Sequence, residues 1–154
     1  ENAIIAEQAR RREAFRFFRP AFTDPDLIDN GMQMLARVGI DRRAAVRVAD
    51  LAHGERRLLE LALVLCGDPA LMLLDEPMAG AGSEESQHMI DIIDRVRGHA
   101  GILLIEHDMD AVFRLADRVT VLVEGAVIAS GTPAEISANK DVRTAYLGSE
   151  DAGA

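Results

Sequence analysis

Two short, unbroken apolar runs constrain this chain more than anything else in it: Leu71-Met72-Leu73-Leu74 and Ile102-Leu103-Leu104-Ile105. Each is of strand length, neither alternates with polar residues, and each stops at an acid, Asp75-Glu76 in one case and Glu106-His107 in the other. A strand without alternation is the kind buried on both faces, which is the habit of parallel sheets. Between the runs, from Ser83, with Ser86 or Gln87 completing its cap, Met89, Ile90, Ile93 and Val96 recur at helical spacing before Gly98 and Gly101 end the segment. Strand, helix, strand predicts a parallel sheet covered by helices on both sides. Farther on, Val119–Val123 and Ala126–Ala129 flank Glu124-Gly125 and read as a hairpin that adds an antiparallel edge. The fold class is α/β.

The first third is different and all-helical. Residues 2–18 predict one helix, ended near Pro20. Thr23 or Asp24 caps a second, with Pro25 in its first turn and Leu27, Ile28, Met32, Leu35 and Ala36 on one face; Gly39 stops it. Residues 42–48 form a weak helical stretch, and Phe15, Phe17, Phe18 and Phe22 cluster ahead of it. A helix over 55–66 is followed by a turn at Gly67-Asp68-Pro69; residues 109–116 are helical, and Thr132 caps a last helix at Pro133.

The chain of 154 residues is one domain's worth. Its formal charge of −9 argues against a nucleic-acid surface, which needs clustered positive charge. Cys66 is the only cysteine, so there is no disulfide framework and a reducing compartment is expected. No apolar run reaches the roughly 18 residues of a membrane span, nothing resembles a signal peptide, and the absence of an initial methionine leads us to expect a start inside a longer product.

Three features bear on chemistry. In a parallel sheet, ligands gather at the carboxyl ends of the strands, where Asp75 and Glu76 stand. Alternation sends the two side chains different ways, so one can serve a metal through water while the other polarises an attacking water; burial of the strand end leads us to expect a cation partner. His107 closes the neighbouring strand and would share that rim, suited to a phosphate oxygen or a catalytic water. Ala52-His53-Gly54 opens a helix whose unpaired N–H groups and dipole suit an anion, with Gly54 permitting close backbone approach. Each also has an ordinary reading: a solvated strand end, a strand-end histidine, and a permissive helix start in which Glu55 is simply a favourable first-turn acid. His88 and His99 read as solvated helix positions.

In order and spacing together, the three resemble the ATP-binding-cassette ATPases. Leu51-Ala52-His53-Gly54-Glu55 stands where that family has its LSGGQ signature, Leu71–Glu76 is similar to its Walker B strand, Ala79-Gly80-Ala81-Gly82 to its D-loop, and His107 to its switch histidine. LAHGERR, LLIEHDM and GAVIASGTPAEI…AYLG resemble most the subunits that power uptake of branched-chain amino acids and related amides. The resemblance, spanning about residues 2 to 148, implies a partial P-loop NTPase fold with a helical subdomain at 1–50, a signature motif and helix at 51–66, the second half of the ATPase core at 67–148 and a tail at 149–154. It implies ATP and Mg2+ as ligands, Glu76 as general base, Asp75 holding Mg2+ through water and His107 at the γ-phosphate. Implied partners are a second ATP-binding subunit, membrane-spanning permease subunits and, indirectly, a solute-binding protein, with the chain peripheral on the cytoplasmic face of the membrane. The phenylalanine cluster is a candidate for the permease-docking groove, with packing inside the helical unit as its rival.

The pattern is incomplete. The phosphate-cradling G-x-x-x-x-G-K-[ST] loop is absent, since the only lysine, Lys140, follows Asn139. The chain is therefore expected to be the second half of such a subunit, and to bind ATP weakly or not at all by itself. Ala52 replaces the signature serine and Gly82 the D-loop aspartate, which puts both contacts in doubt. An ATPase of DNA repair or chromosome maintenance, and a non-catalytic interaction fragment, are the competing readings; the acidic charge and the lack of sustained heptads disfavour the first.

Overall fold

The computed structural model describes residues 1–11 and 20–147. Its contacts divide the chain into two compact units, Glu1–Ile105 and Glu106–Ala154.

In the first unit, α1 (Asn2–Arg10), α2 (Pro25–Arg37) and α3 (His53–Cys66) pack against one another. The Asp24 carboxylate accepts from the Asp26 N–H and caps α2, and Pro25 occupies the first turn, where its missing N–H costs nothing. The buried stripe of α2 is Leu27, Gly31, Met34, Leu35 and Val38; Met32 and Ala36, expected inside, face out. Gly31 explains the rotation: a Cβ there would lie 3.4 Å from the backbone of Ala3 and Ile4, so α1 crosses α2 on the glycine. Gly39 then turns the chain at φ +76°, where a side chain is disfavoured. The stretch expected as a weak helix holds short 3-10 turns, Asp41–Arg43 and Val48–Asp50. The remainder of the expected first helix, with Phe15, Phe17 and Phe18, lies outside the described residues, as does the tail at 149–154; Phe22, in the 3-10 turn Ala21–Thr23, is exposed.

A buried acid ties α1 to α2. Glu7 accepts from Arg10 (2.6 and 2.8 Å), Arg11 (3.0 Å) and Asn30 (3.2 Å). The Arg10 hydrogen bonds hold its carboxyl well below the usual 4.5, at about 2, against the opposing push of burial and with further help from Arg11.

The strands β1 (Leu71–Asp75) and β2 (Gly101–Ile105) pair in parallel, Leu71 opposite Gly101 through Asp75 opposite Ile105, with α4 (Ser83–Val96) between them in sequence. The parallel pairing agrees with the sequence; the double-sided burial does not. Met72 is buried, but Leu71, Leu73, Leu103 and Ile105 share one exposed face, Leu73 at 70%. Among the described residues the sheet is thus covered on one side only.

The second unit holds α5 (Met109–Leu115), the hairpin β3 (Val119–Val123) and β4 (Ala126–Gly131), α6 (Pro133–Ala138) and α7 (Lys140–Leu147). Asp108 caps α5, Thr132 caps α6 as expected, and the Asn139 side chain accepts from the first turn of α7. Val119, Val121, Ile136 and Val142 form its buried core. Glu124 and Gly125 both have positive φ, +49° and +79°, and make the two-residue hairpin turn; the register shifts before it, between Val121 and Leu122.

Candidate functional site

The first three residues of α3 and the loop after β1 meet. The cap of α3 is Ala52, whose N–H donates to Glu55 Oε2 at 2.9 Å, so the helix begins two residues earlier than the apolar pattern suggested. Arg43 reaches the same carboxylate at 2.7 Å. The Ala52 N–H, and after it Arg43, hold the Glu55 carboxyl below its ordinary range. Glu55 is therefore engaged inside its own turn.

His53 points to the segment Ala79–Gly82. Its Nε2 lies 3.2 Å from the Ala79 carbonyl and donates to it. Its ring also stands over Gly80: a Cβ on that residue, at φ +73°, would come within 3.3 Å of the imidazole. Glycine at 80 is thus required twice, by backbone and by neighbour. Ala79 and Ala81 donate back to Glu76 and Met78, which closes the loop into consecutive turns. Gly82 is the cap of α4, its N–H donating to Glu85 Oε2 at 3.2 Å. The cap had been expected at Ser83; Glu85, three residues after Gly82, is the signal that locates it.

Gly54 is buried, and the reason for glycine here is visible. A Cβ would fall 2.5 Å from Glu85 Cδ and 2.6 and 2.8 Å from its oxygens. The close approach that Gly54 permits is made here by the chain's own carboxylate. Glu85 was not foreseen, because nothing local marks it as reaching α3.

Asp75 and Glu76 stand at the carboxyl end of β1, as the strand pattern required, but both are exposed. The expectation that burial there would demand a cation partner is corrected: solvent already reaches the two charges, because one face of the sheet is open. Glu76 has φ +44°, an uncommon backbone for a residue with a side chain, and its N–H donates to the Ile105 carbonyl at 2.9 Å. The left-handed residue follows directly on the last residue of the strand.

His107 belongs to the second unit. It is exposed, its N–H donates to Glu106 Oε2 at 3.2 Å, and its Nδ1 lies 3.9 Å from the same oxygen. The Glu106 side chain is buried, at 1% exposure; the sequence marks it only as the acid that ends the apolar run. His88 is no solvated helix position: it is half-buried, with Nε2 3.1 Å from the Val38 carbonyl at the end of α2. His99 lines an open cleft of about 400 Å³ with Arg37 and Arg95. Cys66 is free and buried, and burial pushes its thiol up, so it is a poor nucleophile.

Residues 5–79 match the family model described as ABC transporter, and residues 126–152 the one described as branched-chain amino acid ATP-binding cassette transporter. The chain is 39% identical over 155 aligned positions to the high-affinity branched-chain amino acid transport ATP-binding protein LivG of Salmonella typhimurium, covering 96% of this chain and 61% of that protein. The BraF protein of Pseudomonas aeruginosa, with the same description, is 34% identical over the same shares. The chain thus spans about three fifths of the length of these relatives. Among solved structures, MJ1267, an ATP-binding cassette of an ABC transporter, superposes with a TM-score of 0.74 at 18% identity, over 96% of this chain and 62% of that one. A nucleotide-free ATP-binding cassette from an ABC transporter gives 0.74 at 16%, with the same coverage.

Proposed function

Because this chain belongs to the ATP-binding-cassette transporter family, we propose that it forms the signature and Walker B part of an ATP-hydrolysing subunit of an importer for branched-chain amino acids or related amides. The relatives named above, and the match over residues 126–152, support that substrate class.

One observation carries the mechanism. The parallel register sets Asp75 level with Ile105, and the Glu76 N–H is bonded to the Ile105 carbonyl. Two carboxylates therefore stand at the carboxyl end of β1, beside the end of its parallel neighbour β2, where nucleotide sites of α/β sheets lie. Glu76 is the general base that orients and deprotonates water, and Asp75 is the residue that would hold Mg2+ through water. Both are exposed, hard oxygen donors, and so fit that ion. No group of three His, Cys, Asp or Glu side chains converges among the described residues, so Mg2+ here would depend on nucleotide phosphates and water for its other ligands. Bound ATP and Mg2+ supply the phosphoryl group and the charge that polarises it; the chain positions water and stabilises charge. His107 contributes a contact to the γ-phosphate.

Ala52, His53, Gly54 and Glu55 form the turn that meets nucleotide held by a second ATP-binding subunit, and Ala79, Gly80, Ala81 and Gly82 the loop beside it. Without a hydroxyl at Ala52 the turn offers only backbone donors, a loss of roughly 1.5–3 kcal/mol for a bond to a charged group. Permease subunits are the membrane-spanning partners, a solute-binding protein acts through them, and the subunit sits on the inner membrane face. No helix among the described residues is long and apolar enough to cross a membrane.

The test is turnover by the intact subunit. Glu76→Gln is expected to cut ATP hydrolysis by about 10²–10⁴ with ATP binding retained; unchanged turnover removes Glu76 from the role. The phosphate-cradling loop is not among these 154 residues. Titrated with ATP, this chain alone is expected to bind weakly beside a version extended with that loop.

A further inference from the structure

We infer that Glu85 is a resident anion at the phosphate-facing turn of α3: its carboxylate fills the space beside Gly54, and nucleotide from the second subunit engages the turn only after Glu85 swings out. This rests on the reading of that turn given above.

The geometry is specific. A Cβ on Gly54 would lie 2.5–2.8 Å from the head atoms of Glu85 and from no other residue so closely. The first-turn N–H groups and dipole of a helix attract one negative group. Glu55, the other acid at this end, does not serve, because its carboxylate is taken by the Ala52 N–H and Arg43. A phosphate brought to the same turn meets a like charge beside Gly54. Glu85 is also built to leave. It is exposed, held through the Gly82 N–H at 3.2 Å, and its displacement leaves the backbone of α4 in place. The His53 bond to the Ala79 carbonyl keeps the loop against the turn while the side chain moves. Glu85 thus sets how much nucleotide is needed to close the dimer.

The experiment measures dimerisation of the intact subunit against Mg-ATP by sedimentation, in a Glu76→Gln background to slow hydrolysis. Glu85→Gln keeps an acceptor for the Gly82 N–H and removes the charge. It is expected to lower the half-maximal ATP concentration about two- to five-fold, the usual weight of a charge at a helix end. Glu84→Gln removes an equal, exposed charge one residue away and is expected to shift nothing. Glu85→Ala serves as a second variant should the glutamine form melt early, with the same shift expected. An unchanged midpoint in the Glu85 variants, or an equal shift in Glu84→Gln, overturns the inference while ATP-driven dimerisation of the parent still stands. Absence of any ATP-driven dimer, parent included, overturns the reading of the turn and the inference with it.

Discussion

The Glu76 N–H donates to the Ile105 carbonyl at 2.9 Å, one residue beyond the last paired position of β1. To make that bond and turn away, Glu76 adopts φ +44°. A left-handed backbone costs a residue with a side chain about 1–2 kcal/mol, and asparagine tolerates it best after glycine. Such strain at a residue proposed as the base is what retention of a particular side chain for chemistry produces. Glu76→Asn and Glu76→Gln both remove the carboxylate, but only the first suits the backbone. In urea unfolding the Asn variant is expected to exceed the Gln variant by about 0.5–1 kcal/mol. Equal stabilities, or the reverse order, would show that the backbone there is unstrained.

Glu7 makes stability depend on pH. Its carboxyl titrates at about 2 in the folded chain against 4.5 unfolded. A depressed acid contributes fully above 4.5, and the contribution drains away as pH falls from 4.5 toward 2. The shift corresponds to at most about 3 kcal/mol, less whatever the exposed side of Arg10 loses to solvent. Glu7→Gln is expected to cost roughly 2–3 kcal/mol at pH 7, and the gap from the parent is expected to narrow below pH 4.5 and close only as the pH reaches about 2. A gap independent of pH would mean that packing, rather than charge, accounts for the loss.

Legibility followed the range of the interaction. The two apolar strands, the hairpin and the caps, at Thr23 or Asp24 and at Thr132, could be read because each depends on neighbours within a few residues. The buried face of α2 was misread by a rotation, since Gly31 admits α1 and no periodicity announces a helix arriving from outside. The acids at 75 and 76 were found from the end of an apolar run. Their exposure was not foreseen, because the same run reads identically whether one or both faces are covered. Glu85 escaped notice altogether: its contact is with Gly54, on another helix, and a sequence shows the glycine without showing what fills the space.

Neighbouring residues of β1 separate the two faces of the sheet. Met72 is 2% exposed and Leu73 is 70% exposed. Met72→Ala leaves a cavity and is expected to cost about 2–5 kcal/mol. Leu73→Thr puts a β-branched, strand-favouring residue on an open surface and is expected to stay within roughly 0.5 kcal/mol. Denaturant midpoints of this chain decide the matter. A loss of more than about 2 kcal/mol at Leu73 would show that the open face is covered in solution.

In the second unit, Glu124 and Gly125 form a two-residue turn with both φ values positive. That geometry matches the right-handed twist of β3 and β4, and asparagine-glycine is its preferred pair. Glu124 is exposed, so its side chain brings no burial to offset the left-handed backbone. Glu124→Asn is expected to stabilise the hairpin by about 0.5–1 kcal/mol. The gain belongs to the unit built on Val121 and Ile136, so amide exchange should slow across β3 and β4 and stay unchanged in α1 to α4. A slowing spread evenly over both units would instead mean that they unfold as one, and a loss of protection at Val123 or Ala126 would mean that Glu124 holds the turn through its side chain.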